Sequence, residues 1–99
     1  MAFLNWTRVG WDDEPIVLMI RVEPRAENRA LLVSAIDEDG LTVRQSLEQL
    51  DGDTAMRTRW LTWAHVPAGE LAIVASVYAS SSKPVATAKV TMQILARRG

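Results

Sequence analysis

Residues 63–78 read Trp63-Ala-His-Val-Pro-Ala-Gly-Glu-Leu-Ala-Ile-Val-Ala-Ser-Val-Tyr78. An aromatic residue, an aliphatic three places on and a Pro-Ala-Gly-Glu corner lead into strict alternation at Leu71, Ile73, Ala75 and Val77. Pro67 presets its own φ, and Gly69 supplies a backbone conformation that a Cβ opposes. The stretch therefore predicts two antiparallel strands joined by a tight turn, and with them an all-β fold.

Outward from this corner, turn residues recur at 23–28, Asp37-Glu-Asp-Gly40, Asp51-Gly-Asp53 and Ser80-Ser-Ser-Lys-Pro84. This spacing suits successive strands better than strand–helix–strand units. Ile16, Leu18, Ile20 and Val22 share one strand face, and Leu31, Val33 and Ala35 share another. Ala86, Ala88, Val90, Met92 and Ile94 face inward on the last strand, whereas Val85, Thr87, Lys89, Thr91 and Gln93 face solvent. From Leu41 the inward set is Leu41, Val43 and Leu47. Leu50 has the opposite parity, so a bulge or strand end is expected near Glu48. A strand over 56–66 contains Trp60 and Trp63 at opposite parity, so one of them points outward or the strand kinks.

Ninety-nine residues with 48% apolar content suffice for one folded domain. Eleven basic and twelve acidic residues leave a net charge of −1, which disfavours nucleic acid as a partner. With no cysteine, disulfides, thiolate nucleophiles and Cys-based zinc sites are excluded. The longest apolar run, Ile16 to Ile20, is too short to insert into a membrane. Residues 1–11 lack the basic and apolar regions of a signal peptide. The compartment stays open: cytoplasmic, or extracellular and surface-associated where a signal has been removed.

Residues 1–14 form an N-terminal aromatic arm, with Phe3, Leu4, Trp6, Val9 and Trp11 preceding the acidic break Asp12-Asp-Glu14; residues 15–99 form the body. The arm reads either as an edge strand closing its own sheet or as an exchangeable strand adding to a neighbouring subunit.

The series Trp63, Val66, Pro67, Gly69, Leu71 and Ile73, with Ser80–Lys83 as a polar hairpin, resembles the immunoglobulin-like and transthyretin-like β-sandwich modules of bacterial multidomain and surface proteins. The resemblance covers residues 31–95 and implies an immunoglobulin-like antiparallel sandwich of about seven strands, with Trp63 in the core. Leu71 stands where such modules often carry a tyrosine that bonds back to the corner. The resemblance implies a structural or ligand-binding role and transfers no catalytic residue.

Chemistry-bearing constellations are sparse. His65 is the one histidine and sits at a strand end; no cysteine and no serine elbow accompanies it, and the five glycines form no phosphate loop. The chain therefore reads as a non-enzyme without a cofactor. Acidic turns carrying Asp12, Asp13, Asp37 and Asp39 fall at one pole of an alternating sheet, joined there by Pro67–Glu70. They form a weak calcium alternative against the ordinary role of acidic residues in turns.

Arg57 and Arg59 share parity with Trp63 and are read as outward, so Trp60 or Trp63 beside them offers a carbohydrate- or ligand-binding face. Leu32 and Ile36 make the outer face of their strand more apolar than solvent requires. The resulting expectation is a structural or interaction module. It associates with copies of itself or a larger protein assembly through Phe3, Trp6, Trp11, Leu32 and Ile36. The alternative is a ligand-binding module using an exposed tryptophan.

Overall fold

The computed structural model describes residues 1–54 and 57–97. Among these are eight strands: β1 (Ala2–Trp6), β2 (Val9–Trp11), β3 (Ile16–Arg21), β4 (Ala30–Ile36), β5 (Thr42–Gln49), β6 (Thr58–Trp63), β7 (Gly69–Tyr78) and β8 (Pro84–Leu95). They form two sheets, of order β1-β3-β6 and β2-β8-β7-β4-β5. Every pairing is antiparallel except that of β2 with β8. The count exceeds about seven because the arm supplies two strands. β1 pairs with β3 in one sheet, and the chain then crosses to pair β2 with β8 in the other. Residues 2–6 and 9–11 are thereby built into both layers.

The core lies between the sheets. Ile16, Leu18, Ile20, Leu61 and Trp63 meet Leu31, Val33, Ala35, Leu71, Ile73, Ala75, Val77, Met92 and Ile94. The period-2 alternation of β3, β4, β7 and β8 is as the sequence predicts, and burying one face of each strand fixes its register.

Residues 63–71 depart from the expected hairpin. β6 pairs with β3, whereas β7 pairs with β4 and β8, so the Trp63–Gly69 corner carries the chain across the core from one sheet to the other. Trp63 and Val66 are both buried although three residues apart. His65, at φ 55°, reverses the chain between them. Gly69 has φ 128°, as expected of the corner glycine. The Ser80–Lys83 hairpin does join neighbouring antiparallel strands.

A second departure lies in β5. Ala35 faces Arg44 but Ile36 faces Thr42, so Val43 is bulged out of register. The parity break falls here, not near Glu48. Past it Arg44, Ser46, Glu48 and Leu50 turn inward and Leu47 turns outward; Leu41 precedes the break and is exposed just before β5, so the expected burial of both leucines is corrected. β6 spans Thr58–Trp63 within the expected 56–66, and Met56 lies outside the described residues.

The inward polar residues of β5 have a use. β5 and β6 are edge strands of opposite sheets, and side chains lace the seam between them. Arg44 donates to the His65 carbonyl, Trp63 Nε1 donates to Ser46 Oγ at 2.8 Å, and Arg59 pairs with Glu48 at 3.6 Å. Arg59 Nη2 also donates to the Gln49 carbonyl at 3.2 Å, while its Nε is buried without a partner. Because the Arg59–Glu48 pair is partly solvated, its net contribution is small. Arg59→Met keeps the apolar stem and removes the unpaired Nε. It is expected to change unfolding free energy in urea by less than about 1 kcal/mol.

Candidate functional site

Among the described residues, no strand packs on the outer face of the five-stranded sheet. Register places Leu47, Leu32, Ser76 and Thr87 in one row across four strands, and Gln45, Ser34, Val74 and Lys89 in the next. Thr42, Ile36, Ala72 and Thr91 form a third row, with Gln49, Ala30 and Tyr78 at the far end. Gln45 Nε2 donates to Ser34 Oγ at 3.0 Å, which ties two of these side chains together. Leu47 is 70% exposed, the highest value among the large apolar residues described. Of the outward positions on β4, β5, β7 and β8, only Glu70 and Lys89 are charged. Exposed apolar residues scattered singly are ordinary; here Leu47 and Leu32 are cross-strand neighbours on a sheet face with few charges, a composition that suits a contact surface.

Of the residues expected at an interface, Leu32 and Ile36 lie half-buried on this face. Phe3 and Trp6 lie elsewhere: they pack against the core, ring centroids 6.2 Å apart and edge to face. Arg8 stacks on Trp6 at 4.1 Å, and Trp6 Nε1 donates to the Thr91 carbonyl at 3.3 Å. Trp11 is exposed, but Arg97 covers its ring at 4.4 Å. Each arm tryptophan thus has an arginine of its own chain on its face. Leu47, Val74 and Tyr78 escaped the sequence reading. For Leu47 a signal existed, since it shares strand parity with the polar Gln45 and Gln49, an outward set.

The alternative ligand residues separate onto two faces. Trp63 is 7% exposed and in the core, whereas Trp60 is 63% exposed on the outer face of the three-stranded sheet. Arg59 lies on the inward side with Leu61 and Trp63, so its expected outward placement is corrected by its bond to Glu48. Arg57 is exposed just before β6, its carbonyl accepting from Val22 N–H at 2.7 Å. Trp60 sits beside a cleft of about 100 Å³ lined by Asn5, Trp6, Thr7, Val17 and Met19.

The acidic turns are held by their own chain. Asp37 Oδ1 accepts from the Asp39 and Leu41 N–H groups, both at 2.9 Å. Arg97 bonds Asp12 through its backbone N–H, and Asp13 and Glu14 through its guanidinium. Among the described residues no three His, Cys, Asp or Glu side chains lie close enough together to hold a metal ion. No described helix is long and apolar enough to cross a membrane. At the opposite pole the Met1 ammonium beside Glu23 holds that carboxyl below its usual range, chiefly through the hydrogen bond between them.

The fold is an all-β domain of two sheets. No family model, curated protein or solved structure matches the chain.

Proposed function

We propose that this chain is a non-catalytic interaction module that self-associates, with the outer face of the five-stranded sheet as its contact surface. The observation that carries the reading is the adjacent pair Leu47 and Leu32, with Ile36, Val74 and Tyr78 half-buried on the same face, across strands whose outward positions hold two charges of opposite sign. The strand order supports an immunoglobulin-like sandwich. With β1–β2 lettered A and β3 to β8 lettered B, C, C′, E, F and G, the sheets become A-B-E and A-G-F-C-C′. His65 is exposed in its turn, and its carbonyl is bonded by Arg44.

Light scattering behind size exclusion, over a concentration series, tests the reading. The wild-type mass is expected to exceed the monomer's 11.0 kDa and to rise with concentration. Leu47→Glu is expected to lower that mass while changing stability by no more than about 0.5 kcal/mol, because Leu47 is a surface position. A wild-type chain that stays at 11.0 kDa throughout overturns self-association. The second reading, a ligand-binding module, is favoured by Trp60 beside its cleft. A sugar panel that quenches wild-type fluorescence but not that of Trp60→Ala supports it.

A further inference from the structure

Hydrogen bonding along β8 reveals which backbone groups lack a neighbour. Gln93 N–H donates to the Arg8 carbonyl, the Leu95 carbonyl accepts from Asp12 N–H, and the Thr91 carbonyl accepts from Trp6 Nε1. Odd-numbered residues of β8 therefore direct N–H and C=O away from β7, and the period of two extends this to Thr87 and Lys89. β2 pairs with β8 only over 93–95, so among the described residues no strand forms a ladder with the edge over 86–90, although β1 lies against β8 from the other sheet.

Two other edges compare poorly as docking sites. β5 has the edge carbonyl of Gln49 taken by Arg59 and the Val43 carbonyl taken by Arg44. β6 has its inward Leu61 and Trp63 already buried, so an added strand gains no apolar cover there. On β8 the inward Ala86, Ala88 and Val90 are still half-exposed, so a strand beside them both bonds the free backbone and completes the core.

We propose that β8 of a second copy occupies this edge, antiparallel about a twofold axis at Ala88, to give a continuous ten-stranded sheet. The choice of a second copy rests on the self-association reading; the register rests on the residues. Edge-facing groups pair only odd with odd, so the axis falls on a residue. An axis at Lys89 sets the two ammonium groups directly opposite one another. Axes at Thr87 or Ala86 use Val85, which the register shift at Val77/Tyr78 leaves bulged, and an axis at Val90 competes with Trp6 for the Thr91 carbonyl. An axis at Ala88 pairs Thr87 with the second copy's Lys89, and Lys89 with its Thr87, through two-bond rings; Val85 and Thr91 fall opposite each other at the ends of the paired segment, and neither ring uses them. Ala88 then meets its own counterpart, and Ala86 meets Val90, on the core side. The two Lys89 side chains lie diagonally on the solvent side, where their length lets the charges separate.

The chain has no cysteine, so single substitutions report the register. Ala88→Cys places two thiols across a non-hydrogen-bonded pair with Cα atoms about 4.5 Å apart, within disulfide reach. Ala86→Cys, the same replacement on the same face, places them about 13 Å apart, beyond it. Under mild oxidation, Ala88→Cys is expected to run as a covalent dimer on a non-reducing gel and Ala86→Cys as a monomer. The same contrast is expected when Leu47→Glu is also present, because the edge is separate from the face. If wild type self-associates but Ala88→Cys cross-links no better than Ala86→Cys, the edge pairing is overturned and the face reading stands. If wild type is monomeric and neither variant cross-links, both fall.

Discussion

Trp63→Ala is expected to destabilise the fold by about 3–5 kcal/mol, the range for deleting a large buried aromatic. The side chain sits in the core with Leu18 and Leu61, 7% exposed, and its Nε1 bonds Ser46 across the seam. Its removal opens a cavity and cuts one of the side-chain links between two edge strands that share no backbone ladder. For a domain of this size, whose whole stability is about 5–15 kcal/mol, such a loss lowers the melting temperature by roughly 15–30 °C. Trp60→Ala, two registers away from the same strand's end, is expected to cost no more than about 1 kcal/mol, because it forfeits only a cross-strand contact with Met19. Thermal melts of both variants followed by far-UV circular dichroism measure the contrast. Equal losses, or a larger loss at Trp60, contradict the assignment of Trp63 to the core.

The two tryptophans show where the sequence was legible and where it was not. Opposite parity was enough to say that one of them faces solvent, but not which. The choice depends on which side of β6 meets the core, and that is set by β3, paired from Ile16↔Trp63 to Arg21↔Thr58. Strands with uninterrupted alternation, such as Leu71-Ile73-Ala75-Val77, were legible because burial on one face admits a single register. β5 was not. Its parity breaks at Val43, with neither glycine nor proline to mark the place, and every inward assignment after it shifts by one. Leu50 carried the trace of that break, but its position relative to Glu48 gave the wrong site.

The proposed contact face was half legible for a related reason. Leu32 and Ile36 were conspicuous as apolar residues on an outward strand face. Their neighbours Leu47, Val74 and Tyr78 are 11 to 46 positions from them in sequence and lie on other strands, and become one surface only when β5 and β7 flank β4. The arm's aromatic density is a signal of burial with more than one solution, and pairing with its own sheets is one of the two readings the sequence offered. β1 and β2 divide it between the two sheets, and Arg8 and Arg97 cover its tryptophan faces. The polar seam between β5 and β6 was illegible: Ser46, Glu48 and Arg59 are ordinary surface residues in composition, and only the approach of two edges brings them inside.

Gly52→Ala is expected to cost about 2–3 kcal/mol, and Gly40→Ala about 1 kcal/mol, the difference measuring space rather than backbone conformation. Both glycines have positive φ, 63° and 82° respectively, so both replacements meet the left-handed penalty. A Cβ at Gly40 has nothing within 4 Å, whereas one at Gly52 stands 3.0 Å from the Ala26 carbonyl oxygen. That oxygen cannot readily withdraw: it accepts from Arg29 Nη1, in a loop where Asn28, 3% exposed, donates through Nδ2 to the Glu23 carbonyl. Gly52 N–H in turn donates to the Asn28 carbonyl at 3.2 Å, so moving Gly52 away to relieve the contact breaks this bond. The buried Asn28 Oδ1 already lacks a partner, which leaves the loop little reserve against a further displacement. Urea denaturation of the two variants measures the contrast. A Gly52→Ala loss no larger than that of Gly40→Ala shows that the loop over 23–28 yields, and that the close packing of the 3-10 turn Gly52–Thr54 against it contributes little to stability.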